Sequence, residues 1–148
     1  MRLPIAILAG GLAKRLDKKT TNIPKALLDI SGKPFISRQL NYLKGQGFIK
    51  VVICIGHYGD KIKNLVGNGS NYNLNVTYSD DGEQLLGTGG SLKKACKILD
   101  KNFFVLYGDS FLPVHFTIIE KAFLNQAKPA LMTVLKNSNQ WDKSNVYF

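Results

Sequence analysis

Gly10 and Gly11, Arg15, and the Pro24-Lys25 pair fall in one stretch, Leu8 to Leu28, that reads LAGGLAKRLDKKTTNIPKALL. Together these residues are equipped to hold a polyphosphate. The glycines lack a Cβ, so positive φ is open to them and their backbone N–H groups can come close to phosphate oxygens. Arg15 follows Gly11 closely enough for its planar guanidinium to reach the same anion with several donors. Pro24 fixes its own φ and biases Ile23 toward an extended shape, so Lys25 sits on stiff backbone and can be aimed. A carboxylate completes the set: Asp109 follows the apolar run Phe103 to Tyr107 through Gly108, where it would suit a Mg²⁺ ion beside phosphates. An isolated Gly-Asp serves equally as a turn or a helix N-cap. The stretch lacks the third glycine of G-x-G-x-x-G, and no Gly-Lys-Ser/Thr follows a four-residue spacer, which weighs against a dinucleotide fingerprint and a P-loop.

The elements that must carry these residues alternate. Ile5 to Ala9 is a short unbroken apolar run, as for a parallel strand covered on both faces. Phe35, Ile36, Leu40 and Leu43 recur at helical spacing between Pro34 and Lys44, and Gly45 and Gly47 close that helix. A buried strand over Val51 to Ile55 follows, then a short helix over Tyr58 to Val66 and an alternating strand over Leu74 to Tyr78. Ser91 to Leu99 reads as a helix, Phe103 to Tyr107 as another buried strand, Ile118 to Phe123 as the core of a helix, and Ala130 to Leu135 as a strand. This order predicts an α/β fold: an open, mostly parallel, Rossmann-like sheet with helices on both faces and ligands bound beyond the carboxyl ends of its strands. Gly10, Gly56 and Gly108 each follow a strand at that edge. No internal repeat or linker interrupts residues 1–148, which read as one domain.

Composition narrows the function classes. The chain has 148 residues with 20 Lys and Arg against 10 Asp and Glu, a formal charge of +10, so its surface attracts anions. Lys18, Lys19, Lys61, Lys63, Lys93, Lys94 and Lys97 are spread over separate segments without interleaved aromatics, which argues against a nucleic-acid partner. Cys54 and Cys96 both read as small buried hydrophobes and suit a reducing cytoplasm. No apolar stretch approaches the roughly 20 residues of a membrane span, and Leu3 to Ala9 is too short for a signal peptide. His57 and His115 lack partners at zinc-ligand spacing, and Trp141 reads as packing or as a sugar-stacking wall.

The chain resembles the sugar-1-phosphate nucleotidyltransferases, whose signature L-x-G-G-x-x-x-R-L followed by P-K-x-L appears as Leu8, Gly10, Gly11, Arg15, Leu16, then Pro24, Lys25 and Leu27. The likeness continues through Ser31-Gly32-Lys33-Pro34-Phe35, Leu86-Gly87-Thr88-Gly89-Gly90-Ser91-Leu92, Tyr107-Gly108-Asp109-Ser110 and Trp141-Asp142-Lys143-Ser144-Asn145-Val146. It is similar above all to the bacterial heptose-1-phosphate guanylyltransferases and muramate-1-phosphate uridylyltransferases. The resemblance implies a Mg²⁺-dependent cytoplasmic enzyme of nucleotide-sugar and cell-envelope polysaccharide synthesis. A sugar 1-phosphate would attack the α-phosphate of an NTP, with GTP the first expectation and UTP the second. It implies catalytic roles for Arg15 and Lys25, a nucleotide site of Leu8, Ala9, Gly10, Gly11, Gln84, Gly87, Thr88 and Gly89, a sugar contact from Asn145 and a metal-binding Asp109. Family members continue past Phe148 and supply a second metal-binding Asp there, so the chain reads as incomplete at its carboxyl end. Base identity, sugar and oligomeric state are open.

Two other readings compete. A molybdopterin guanylyltransferase or cytidylyltransferase would share the glycine-rich entry, but the spacing of Arg15 and Lys25 with Pro24 between them favours the sugar-phosphate branch. A non-catalytic nucleotide-binding regulatory paralogue, or an inactive fragment, would keep the loop and turn nothing over. Retention of Arg15, Lys25 and Asp109 argues against it, and the early end of the chain argues for it.

Overall fold

The computed structural model describes residues 2–11, 23–138, 140 and 143. They fall in two compact units, Met1–Pro113 and Val114–Phe148. In the first, four strands form one parallel sheet: β1 (Ile5–Leu8), β4 (Lys50–Ile55), β5 (Asn75–Asp80) and β6 (Phe104–Tyr107), in the order β5-β4-β1-β6. A two-residue hairpin, β2 (Asp29–Ile30) and β3 (Lys33–Pro34), stands apart from it and turns through Ser31 and Gly32. The helices of this unit are α1 (Phe35–Gly45), α2 (Gly59–Val66) and α3 (Gly87–Ala95).

Register explains which side chains face which layer. Ile5 pairs with Val51 and Phe104, and Ile7 with Ile53 and Leu106, so these share one face; Ala6, Leu8, Val52, Cys54, Val105 and Tyr107 share the other. Ala95 of α3 clusters with Val52, Cys54 and Leu8, which puts that helix on the second face. Gly59 of α2 lies against the side chain of Ile55, on the first. Helices thus flank both faces, and Ile5, Ala6, Ile7, Ile53 and Ile55 have no exposed surface. Helix α1 opens directly after Pro34, buries Ile36, Leu40 and Leu43, and stops where Gly47 takes φ +82° and Phe48 N–H reaches back to the Leu43 carbonyl.

Four expectations need correction. Strand β6 is not buried: it is the outer strand of the described sheet, α3 lies over β1, β4 and β5, and Val105 and Tyr107 are 44% and 54% exposed. Helix α3 runs over Gly87–Ala95, four residues earlier than its apolar pattern suggests, because Gly87 at φ +68° can open the turn ahead of Ser91. Cys96, just past that helix, is exposed. In the second unit, α4 (Phe116–Leu124) forms as expected, but Ala130 to Leu135 makes no strand; an apolar run becomes a strand only where a ladder partner takes its N–H and C=O groups.

An ion-pair network ties α2 to β5. Lys63 Nζ donates to Asp80 Oδ2 at 2.8 Å and to Asp60 Oδ1 at 3.4 Å, and Lys94 Nζ donates to the Asp80 carbonyl. The Lys63 hydrogen bond, helped by the Gly82 N–H, holds the Asp80 carboxyl below its ordinary range. A depressed carboxyl pKa adds stability that is present above the unfolded value, about 4, and lost as pH falls through the folded one. Asp80→Asn should therefore lower the melting temperature at pH 7, and the gap from wild type should close as pH falls below about 4. Thermal melts across that range check this.

Candidate functional site

All four strands point their carboxyl ends toward one rim, and the order reverses at β1, with β4 on one side and β6 on the other. A parallel α/β sheet leaves a crevice at such a reversal. Here it is a hollow of ≈ 580 Å³ lined by Leu8, Ala9, Gly10 and Gly11 after β1, Cys54 on β4, Asp81 after β5, and Tyr107, Gly108 and Asp109 at the end of β6. Lys25 and Ala26 close one side, and Leu85, Gly87, Thr88 and Ser91 another. The rim is tied by backbone bonds: Ala9 N–H donates to the Cys54 carbonyl at 2.8 Å, Asp81 N–H to Ile55 at 2.9 Å, and Gly108 N–H to Leu8 at 2.9 Å.

Neither a left-handed turn nor steric exclusion explains the first glycine, since a Cβ there would meet only ordinary contacts. Gly10 does not adopt positive φ; a Cβ there would sit 3.4 Å from Gly56 N and 3.9 Å from Asp81 Oδ2. Gly11 lines the hollow, and among the described residues nothing lies within 4 Å of where its Cβ would be. Pro24, at φ −56° and ψ 141°, delivers Lys25 into a single 3₁₀ turn, Lys25–Leu27, pinned by buried Ala26. Lys25 Nζ donates to Asp109 Oδ2 at 3.1 Å, so the predicted cation and the predicted metal ligand meet across the hollow. Both are partly exposed, at 35% and 44%, which makes the pair weak and easily exchanged for other partners.

Gly87, Thr88 and Ser91 sit in the opening turns of α3, whose first N–H groups have no partner within the helix and can serve an anion or a base edge. Gln84 and Gly89 do not line the hollow. Arg15, Asn145 and Trp141 lie outside the described residues. No group of three or more His, Cys, Asp or Glu that could hold a metal occurs among the described residues. A lone carboxylate does fit Mg²⁺, which keeps waters and takes phosphate oxygens as its other ligands. Asp109 and Asp81 are the two described carboxylates on the wall of the hollow, and Asp109 is the more exposed of them.

Sequence reasoning missed Asp81. It is 9% exposed, its Oδ2 accepts from Ser91 Oγ at 2.5 Å and from Leu86 N–H at 3.2 Å, and its Oδ1 is buried without a hydrogen-bond partner. It fixes the loop that enters α3. Its position, directly past the carboxyl end of β5 as Gly10, Gly56 and Gly108 are past theirs, was the available signal. Cys54 also faces the hollow, and burial, with smaller contributions from Asp81 and Cys96, pushes its thiol up to about 11. A thiol that high stays protonated and unreactive at pH 8. Iodoacetamide at pH 8 should label Cys96 and spare Cys54 in the folded protein, and label both in denaturant, as read by peptide mass.

Relatives align with this chain over 109 to 137 residues at 34–38% identity. One is the N-acetylmuramate α-1-phosphate uridylyltransferase of Neisseria meningitidis serogroup B, 38% identical over 75% of this chain and 48% of its own. Another is the D-glycero-α-D-manno-heptose 1-phosphate guanylyltransferase of Campylobacter jejuni, 34% identical over 93% of this chain and 59% of its own. Among solved structures, HddC from Yersinia pseudotuberculosis complexed with GMP-PN superposes with a TM-score of 0.76 at 34% identity, over 84% of this chain and 55% of that one. The chain spans about half the length of these relatives. The family model of the MobA-like NTP transferase domain matches residues 5–143, and the chain belongs to that family.

Proposed function

We propose that this chain is the nucleotide-binding part of a sugar-1-phosphate nucleotidyltransferase. In the reaction a sugar 1-phosphate oxygen bonds to the α-phosphorus of an NTP, the α–β anhydride bond breaks, and pyrophosphate leaves with the electron pair. The nucleophile is already ionised at neutral pH, so no general base is required; alignment and charge neutralisation carry the catalysis. The observation that supports this reading best is the meeting of Lys25 and Asp109 at 3.1 Å in a hollow walled by the Gly10-Gly11 backbone.

Each residue has a part in that reaction. Gly10 and Gly11 offer backbone donors to the nucleotide phosphates, and Lys25 holds phosphate oxygens at the reacting centre. Arg15 binds the β- and γ-phosphates that leave, and Asn145 contacts the sugar. The opening amides of α3, with Thr88, receive the base, and the fixed Leu86–Ser91 segment holds that wall in place. Asp109 would hold Mg²⁺, which when bound supplies Lewis-acid neutralisation of phosphate charge.

GTP is the first candidate nucleotide and UTP the second, because the similar proteins include both guanylyl- and uridylyltransferases. The acceptor is a heptose, muramate or hexose 1-phosphate. A matrix of GTP, UTP, CTP and dTTP against these sugar phosphates, scored by pyrophosphate release and by nucleotide binding, tests the reading. One preferred pair releasing pyrophosphate supports it. Binding without release in every pair would instead favour a regulatory nucleotide-binding role or an inactive fragment.

A further inference from the structure

Gln39 is a polar residue in the buried stripe of a helix. It lies on α1 in the apolar stripe with Ile36, Leu40 and Leu43, and it is 1% exposed. Its side-chain amide nitrogen donates to the Tyr107 carbonyl at 2.8 Å and to the Ser110 carbonyl at 2.7 Å. Both partners are acceptors, so both amide hydrogens are used and the orientation of the group is fixed. Tyr107 and Ser110 bracket Gly108 and Asp109, and Ser110 N–H also donates to the Tyr107 carbonyl at 3.2 Å. One buried side chain therefore clamps both ends of the turn that carries the carboxylate.

The clamp has a cost. The Gln39 side-chain oxygen is buried with no hydrogen-bond partner, a destabilising arrangement that a methionine of similar length would avoid. The two carbonyls face the buried amide, and the Tyr107 carbonyl already accepts from Ser110 N–H. A donor serves both carbonyls here, but at the expense of a buried, unpartnered Oε1. A carboxylate that must meet a cation at a set distance gives a reason for that arrangement, since residues behind a metal ligand hold its geometry.

We infer that Gln39 is a positioning residue for Asp109: by bridging the carbonyls on either side of it, Gln39 holds the carboxylate where it can share a Mg²⁺ ion with a bound nucleotide. This rests on the metal-binding role proposed for Asp109. Gln39 touches neither nucleotide nor metal; it acts through the turn.

The test reads binding, with GTP as the probe. Calorimetric affinity for GTP is measured with Mg²⁺ and again with EDTA, for wild type and for Gln39→Met, Gln39→Asn and Asp109→Ala. Gln39→Met removes both donors at similar length, and Gln39→Asn keeps an amide too short to span both carbonyls, so it is the milder change should the first not fold. Loss of a residue behind a metal ligand commonly costs about 10–100-fold in metal affinity. The affinity gained from Mg²⁺ should shrink by about that factor in the Gln39 variants and in Asp109→Ala, while GTP binding in EDTA stays within about two-fold of wild type. A purely structural role would lower the melting temperature and leave the Mg²⁺ gain intact, which overturns the inference. An undiminished Mg²⁺ gain in Asp109→Ala would instead overturn the metal role of Asp109, so the two failures are distinguishable.

Discussion

In the complete enzyme, Lys25→Ala is expected to lower pyrophosphate release from an NTP and a sugar 1-phosphate by about 10²–10³-fold, the usual cost of removing one aimed donor from a site where charge develops. The 3₁₀ turn places this ammonium on the wall of the hollow, and Ala26 beside it is buried, so the turn cannot swing away freely. The fold should survive, because the pair that Lys25 makes with Asp109 is partly exposed and worth at most about 1 kcal/mol. Lys50→Ala is the control for net charge. Lys50 begins β4 at the opposite end of the strand from the rim and pairs with exposed Asp100 at 3.5 Å, so its loss should leave turnover unchanged. Near-normal turnover in Lys25→Ala, measured at saturating nucleotide, would remove Lys25 from the mechanism.

Gly108→Ala should be the more damaging change to structure. A Cβ at Gly108 would stand 2.9 Å from the Leu8 carbonyl oxygen and 3.0 Å from both Cα and Cβ of Ala9. These belong to the adjoining crossover, which is itself held by the Gly108 N–H bond to Leu8 and the Ala9 N–H bond to Cys54. Neither side can move without breaking the rim. Overpacking of this kind costs about 1–3 kcal/mol, or a fall in melting temperature of roughly 6–8 °C at 2 kcal/mol for a chain of this size. Because the displaced backbone joins Gly10-Gly11 to Asp109, nucleotide affinity should fall along with stability. Melting at the wild-type temperature would mean that the two crossovers do not meet as described.

The parts of the fold that could be read from the chain are those set by local pattern. Ile5 to Leu8 and Val51 to Ile55 are apolar on both alternations, which only a strand covered on two faces requires, and both lie in the sheet interior. The helical stripe of Ile36, Leu40 and Leu43 likewise defined α1. What could not be read depends on neighbours. Phe103 to Tyr107 has the same apolar character, yet as the outer strand it is covered on one face only, and composition does not distinguish the two cases. Ala130 to Leu135 has strand-forming residues without a ladder partner among the described residues.

The site shows the same division. Gly10, Gly11 and Asp109 follow the ends of recognisable strands, so their convergence on one rim followed from the alternation of strands and helices, whereas Lys25 was marked by the preceding Pro24. Gln39 and Asp81 are polar groups whose importance lies in what they hold, and neither has a motif. Gln39 did leave a trace, since it interrupts an apolar stripe three residues after Ile36 and four before Leu43. Asp81 left only its position past the end of β5.

Crystals grown with GTP and Mg²⁺, or with UTP and Mg²⁺ should that bind better, test the proposed nucleotide site. The polyphosphate should lie against the backbone of Gly10 and Gly11, with Lys25 Nζ released from Asp109 onto a phosphate oxygen and the ion beside the Asp109 carboxylate. A nucleotide lodged elsewhere, with the hollow empty and Lys25 still paired to Asp109, would contradict the account.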